Sequence, residues 1–468
     1  MFCLISLSIF LCVPCVMCNV LFYIMTNREE GTETTALSTM IIIVIAVIAA
    51  SATAVVAFRN SSGSPDTGGN TDGDAASNLP LRGRDVATTT EPQKAGTAKA
   101  LDSKILLCTT MYPGKRNNPP DGLCDLIVFQ SSTYSFTESE LAPLNDFIEM
   151  ARLYTSTLFG LDVAEQSRSK SLKNLKTTSG KSVLHSHWKN NIRHYGSLGA
   201  TITANTNGQY IESLVELLKV LRTYQNEFRT NSSDDVPFIF VGVAPLYEGK
   251  PDTKGVMKDR FNRLISDAEP NIVLFQTSDF RNFSKSHEGC VSNAITVWKN
   301  PPLSDQPSFV DTLTFRKAVN LPSYTLEVLP ISLCIRVTVF DQRVDDHNVR
   351  LGRADKCTSS ALTTMRDTHC MNGKGAHQFQ QNVTLDHDSI VYLAGLKNGR
   401  KIFAFELSSS IRRKMCKAFM EYDYNGGWAM YDMHCNDKNN VCNDGTFKKG
   451  FARLHWMKQY MSQVFTSC

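Results

Sequence analysis

Two long apolar runs, residues 2–25 and 37–58, open the chain. Neither holds a charge, and each is near the roughly 20 residues that cross a bilayer as a helix. Arg28, Glu29 and Glu30 precede the second run and Arg59 closes it, so 37–58 is read as a transmembrane helix. The first run carries Cys3, Cys12, Cys15 and Cys18 and no basic residue ahead of it. With its short loop, 1–36 is either a signal-like segment or a first span. Residues 59–102 are rich in Gly, Ser, Thr, Asp and Pro without apolar periodicity, and read as a disordered stalk. From 103 to 468 the pattern becomes that of a globular domain. Short apolar runs at 104–111, 125–132, 157–164, 197–204, 238–245, 271–278, 331–340 and 428–434 predict eight strands, with helical spacing between them. The clearest helix carries Ile211, Leu214, Leu218 and Leu221 on one face. Strands alternating with helices imply parallel pairing through crossovers. The expectation is an α/β fold, a (β/α)8 TIM-type barrel with an insertion after strand seven at 341–395. An open, doubly wound sheet is the competing arrangement.

Composition narrows the setting. At 42% hydrophobic and 20% charged the 468 residues exclude wholesale disorder, and a net charge of +4 lacks the dense positive face of a nucleic-acid binder. Of 14 cysteines, ten follow residue 103, an even number without zinc-finger spacing, which points to an oxidising compartment. The sequons at Asn60, Asn231, Asn282 and Asn382 agree with passage through the secretory lumen. Together these features predict a single-pass membrane protein of type II orientation with an extracellular C-terminal domain; two-pass and secreted forms stay open. Spacing alone suggests one local disulfide, Cys435 to Cys442. His185 and His187 stand two apart on a predicted helix and face apart, so no metal site is expected there. No cofactor is expected.

The start of the globular part, KILLCTTMYPGKRNNPPDGLCDLIVFQSS, and its end, KIFAFELSSSIRRKMCKAFMEYDYNGGWAMYDMHCND, resemble the family 18 glycoside hydrolases, the chitinases and chitinase-like lectins. The resemblance implies a Cys108 to Cys124 disulfide, and a closing helix, glycine pair and strand marked by Ser410, Lys414, Gly426, Gly427 and Asp437. It covers nearly all of 104–460 with loose motifs. The family carries a D-G-x-D-x-D-x-E run at the end of strand four, where the glutamic acid protonates the glycosidic oxygen and an aspartate orients the substrate's acetamido group. Here the matching stretch keeps Gly199, but Leu198, Thr201 and Thr203 stand in the aspartate places and Asn205 in that of the acid. Asn205, in the acid's place, has no titratable proton to deliver, and losing general-acid catalysis alone typically costs about 10²- to 10⁴-fold. No catalytic residue is therefore assigned, and the domain is read as a barrel without hydrolysis.

Binding is the function that remains. The family places an aromatic on strand eight under a sugar ring, which aligns Tyr431 there with Trp428 three residues earlier. Asn205, Thr203 and Asp279 complete the candidate ligand set, Asp279 standing where the family's M-x-Y-D pattern has its aspartate, with Gln276 and Ser278 at the Met and Tyr places. Arg168, Lys170, Lys173, Lys176 and Lys181, read as a loop after strand three, form a weaker candidate for an anionic ligand. The partners implied are a membrane, through the N-terminal span, and an N-acetylglucosamine-type glycan or an extracellular protein. A residual hydrolase using Asp279, Asp162 or Asp432, and a purely protein-binding ectodomain, are the alternatives.

Overall fold

The computed structural model describes residues 104–468 apart from 112–117, 132–133, 138–143, 230–235, 247–252, 279–289, 303–305, 341–356, 365–382, 396–398 and 437–449. The apolar runs 2–25 and 37–58, the stalk, Asp279, Asp437, Cys442 and the four sequons lie outside the described residues. Among the described residues no helix is long and apolar enough to cross a membrane.

Eight parallel strands close into a barrel: β1 (Leu106–Thr110), β2 (Leu126–Phe129), β3 (Leu158–Asp162), β4 (Ile192–Ile202), β5 (Ile239–Pro245), β6 (Ile272–Phe275), β7 (Leu326–Ser332) and β13 (Gly427–Tyr431), the last pairing with both β7 and β1. The strand period of two sorts their side chains. Leu107, Leu126, Val128, Phe240, Leu274, Val328, Ala429 and Tyr431 form the inner core. Leu106, Cys108, Ile127, Phe129, Trp428 and Met430 instead join the layer beneath the helices.

That layer is covered by α1 (Asn145–Leu153), α2 (Arg168–Leu175), α3 (Thr178–Lys189), α4 (Gly208–Phe228), α5 (Thr253–Ala268), α6 (Phe309–Ala318), α7 (Ser408–Tyr422) and α8 (Ala452–Ser467). Helix α4 buries the predicted face, Ile211, Leu214, Leu218 and Leu221, and begins where the Asn207 side chain accepts the Tyr210 N–H at 2.7 Å. Ser308 caps α6 in the same way, through the Asp311 N–H at 3.1 Å.

Strand ends shift by a few residues throughout, and two differences from the sequence reading are larger. Strand β4 starts at Ile192, five residues earlier than expected, because Gly196 lets it run tight against β5. A Cβ at Gly196 would lie 1.9 Å from the Phe240 carbonyl oxygen. The apolar run 331–340 is two strands. Its first residues end β7, the chain breaks at Leu333 and Cys334, and β8 (Ile335–Phe340) leaves the barrel. The insertion is accordingly larger than 341–395. It is a five-stranded antiparallel sheet in the order β10-β11-β12-β8-β9, using β9 (Cys357–Thr363), β10 (Thr384–Asp386), β11 (Val391–Gly395) and β12 (Lys401–Phe405). Both halves of 331–340 are apolar, so hydropathy alone cannot show the break.

Among the described residues four disulfides join Cys108 to Cys124, Cys290 to Cys357, Cys334 to Cys435 and Cys416 to Cys468. The partner of Cys435 is thus Cys334, not the nearby Cys442. Strands β7 and β13 are neighbours, with Ser332 opposite Tyr431, so the residues just past their ends meet at a Cα separation of 4.9 Å. Around this junction the buried Arg453 guanidinium donates to the Leu333, Cys435 and Glu406 carbonyls and to Asn436 Oδ1.

Candidate functional site at the barrel mouth

The C-terminal ends of the barrel strands surround a cavity of about 620 Å³. In such barrels this is the face whose loops carry ligands. The cavity floor is built from strand-end residues. Asp162 ends β3 and is 6% exposed; its Oδ1 accepts the Leu198 N–H at 2.7 Å. Burial pushes this carboxyl up to about 7, opposed by the Leu198 hydrogen bond and the nearby Arg168 charge.

Gln276 follows β6, and its Nε2 donates both to the Leu198 carbonyl and to the Tyr431 hydroxyl, each at 2.5 Å. Its Oε1 is buried without a partner, as is the Ser278 hydroxyl two residues on. Tyr431 lines the same cavity from β13, only 1% exposed, with its phenol pKa pushed up by burial. The side chain therefore lies at the floor, edge-anchored by Gln276, and does not offer an open ring face.

The other sequence candidates divide. Thr201 lines the cavity, and Gly199 faces it across open space: a Cβ added there would meet nothing within 4 Å. Leu198 is packed in the inner core, and the site uses its backbone alone. Thr203 and Asn205 do not line the mouth. Strand β4 ends at Ile202, so both fall in the turn that leads into α4. There the Asn205 N–H donates to Thr203 Oγ1 at 3.1 Å, and Arg260 holds the Thr203 carbonyl at 2.7 Å. Trp428 faces outward on β13, where it packs against Tyr424 and Phe309. Three residues along a strand is an odd step, so Trp428 and Tyr431 must point to opposite faces.

The cationic stretch is not a loop. It forms α2 and α3, because the chain caps a new helix at Thr177, whose side chain accepts the Gly180 N–H. Arg168 is buried over the Tyr210 ring at 4.4 Å, and Lys176 and Lys181 pair with Glu216 and Glu227 of α4. Neither these three nor Lys170 and Lys173 line the mouth.

Asp432 occupies a left-handed position after β13 (φ 61°) and accepts from the Ser332 hydroxyl at 3.1 Å. Burial pushes its carboxyl up to about 6. Cys334, His434 and Cys435 come close enough to suggest a metal site, but the two sulfurs are bonded to each other and offer no thiolate.

Gln276 and Ser278 were visible in the sequence only as replacements for a family pattern. Their signal was position, since polar side chains directly after the apolar run 272–275 fall at the mouth once the strand is placed.

No protein-family model and no curated protein sequence matches the chain. Solved structures do. Human YKL-39, described as a pseudo-chitinase with retained chitooligosaccharide binding, superposes with a TM-score of 0.55 at 13% identity, over 77% of this chain and all of that one. The Ostrinia furnacalis group IV chitinase bound to allosamidin gives 0.51 at 13% identity, over 77% and 99%. The immunomodulatory active chitinase TsES1 of Trichuris suis gives 0.51 at 10% identity, over 77% and 100%. The fold of this chain is the barrel shared by chitinases and chitinase-like proteins.

Proposed function

We propose that the protein is a membrane-anchored chitinase-like barrel, held outside the cell on its stalk, that binds glucosamine-based (N-acetylglucosamine-type) oligosaccharides at the mouth without hydrolysing them. The observation that carries this reading is the mouth itself. It is a cavity of about 620 Å³ at the strand ends, floored by buried polar atoms of Gln276 and Ser278 that have no partner among the described residues. Orphaned buried groups destabilise by about 1–3 kcal/mol each, and a polar ligand relieves that penalty. The retained chitooligosaccharide binding described for YKL-39 supports the ligand class. Replacement of the four family carboxyls by Leu198, Thr201, Thr203 and Asn205 supports the absence of turnover. The uncharged runs, the stalk composition, the sequons and the cysteine usage support the anchored, extracellular setting.

The test is binding of glucosamine-based oligomers by the full-length chain, with hydrolysis followed on the same sample and membrane association followed by alkaline extraction. Saturable binding without turnover is expected, and absence of binding to any such oligomer would overturn the reading. One observation favours a second reading. Asp162 is a buried carboxyl at the mouth whose pKa is lifted to about 7, the property of a general acid. Under that reading, slow hydrolysis would be detected and would vanish in Asp162→Asn.

A further inference from the structure

We propose that the mouth is selective for the free amino group of a glucosamine unit over its acetylated form. This rests on the reading of the mouth as an oligosaccharide site and specifies the ligand's chemistry. The orientation of the Gln276 amide is fixed by its surroundings. A backbone carbonyl only accepts, so the atom facing the Leu198 oxygen at 2.5 Å is the nitrogen. The second N–H of the same amide goes to the Tyr431 hydroxyl. Both donors are engaged, and the atom left over, Oε1, is an acceptor with no partner on a side chain only 6% exposed.

Ser278, 8% exposed, adds an oxygen without a partner. Asp162 adds a carboxyl whose Oδ1 is occupied by the Leu198 N–H, which engages that donor as well. Glu165 contributes another carboxylate to the cavity wall, and no Lys, Arg or His is among the described residues lining it. Arg168, whose charge acts on Asp162, is turned onto the Tyr210 ring and does not line the cavity.

The buried floor is thus rich in acceptors and poor in donors. An ammonium group brings three N–H donors and a positive charge, which suits the acceptor and carboxyl character of Gln276 Oε1, Ser278 Oγ and Asp162. Placed beside Asp162, it favours the ionised carboxylate that burial otherwise resists. An acetamido group brings one N–H and a carbonyl oxygen, and the buried floor has only hydroxyl or carboxyl protons to offer that oxygen, the amides of Gln130 and Gln166 belonging to the less buried wall. A hydroxyl at the same place of the sugar lacks the charge. The expected order is glucosamine first, with the acetylated and hydroxyl forms behind it.

The test is titration of the full-length chain at neutral pH with β-1,4 oligomers of equal length made of glucosamine, N-acetylglucosamine or glucose. The glucosamine oligomer is expected to bind at least about tenfold tighter than the acetylated one, the equivalent of one orphaned polar group. Asp162→Asn keeps a side-chain acceptor for Leu198 and removes the charge, and is expected to abolish the preference. Ser278→Ala, a smaller change that spares the Leu198 contact, is expected to weaken glucosamine binding several-fold and serves if Asp162→Asn does not fold. Equal or tighter binding of the acetylated oligomer overturns amine selectivity while leaving the oligosaccharide site intact. Failure of all three oligomers to bind overturns both.

Discussion

Replacing Lys414 with methionine removes a charge from the most buried ion pair in the described residues. Its ammonium is 0% exposed and meets Glu406, itself 3% exposed, while also donating to the Thr296 carbonyl and hydroxyl at 3.1 Å each. Ser410, one helical turn before Lys414 on α7, donates to the other Glu406 oxygen at 2.6 Å. Burial pulls the Lys414 pKa down, and Glu406 partly offsets it. Methionine fits the aliphatic stem but leaves Glu406 charged, buried and without its cation. The expected loss is about 3–5 kcal/mol. Pairing the change with Glu406→Gln removes both charges and keeps the carbonyl for Ser410, so the double variant is expected to recover about 2 kcal/mol or more relative to the sum of the singles. Equilibrium denaturation of the four proteins, read by tryptophan fluorescence under non-reducing conditions, measures the cycle. A loss below about 1 kcal/mol in Lys414→Met, or strict additivity, would refute the argument that charge burial dominates here.

Three further outcomes follow from the geometry. Tryptic mapping without reductant is expected to recover Cys435 linked to Cys334, and breaking that bridge, which closes a separation of 101 residues, is expected to remove roughly 4–5 kcal/mol; a Cys435 to Cys442 peptide would contradict the β7–β13 junction. Gly199→Ala is expected to leave the melting temperature nearly unchanged, whereas Gly196→Ala, aimed at the Phe240 carbonyl, is expected to prevent normal folding; equal tolerance at both sites would count against the described packing of β4 on β5. Between about pH 4 and 7 two sets of groups oppose each other. Burial holds His187 and His434 down to about 4 and His194 to about 3, so the unfolded chain takes up protons the folded one refuses and stability falls on acidification. Asp162 and Asp432, lifted to about 7 and about 6, act in the reverse sense, contributing stability that is lost as pH rises. Asp162→Asn is therefore expected to melt higher than the parent at about pH 8 and to lose that advantage near pH 4, in thermal melts across the range; a pH-independent difference would show that its carboxyl does not change pKa on folding.

The barrel was legible because its strands are short apolar runs separated by helical spacing, a pattern set by burial on both faces of each strand. What escaped was set by contacts distant in sequence. The exit of β8 depends on a disulfide between Cys334 and Cys435 and on pairing with β12, neither visible in a hydropathy profile. The places of Thr203 and Asn205 turned on where β4 ends, and a shift of two residues moved them from the mouth to a turn. The cationic stretch looked like a loop because its apolar content is low, yet Leu175 and the capped start at Thr177 were enough to seat two helices against α4. Gln276 and Ser278 could be placed only once β6 was fixed in the barrel, because their importance lies in the partners they lack.

The disulfides in the second half of the chain overlap like links. Cys334 lies within the loop closed by Cys290 and Cys357, and Cys416 lies within the loop closed by Cys334 and Cys435. Every peptide bond from Cys290 to Cys468 is therefore spanned by at least one bridge. A protease that nicks any loop in this span, including those of the inserted sheet, produces two pieces that remain one covalent molecule. The stretch between Cys124 and Cys290, which supplies Asp162 and Gln276 to the mouth, is spanned by none of these four bridges. A single cut between Cys290 and Cys468 would thus leave the C-terminal half one covalent piece, whereas a cut between Cys124 and Cys290 would leave two pieces that none of these four bridges joins.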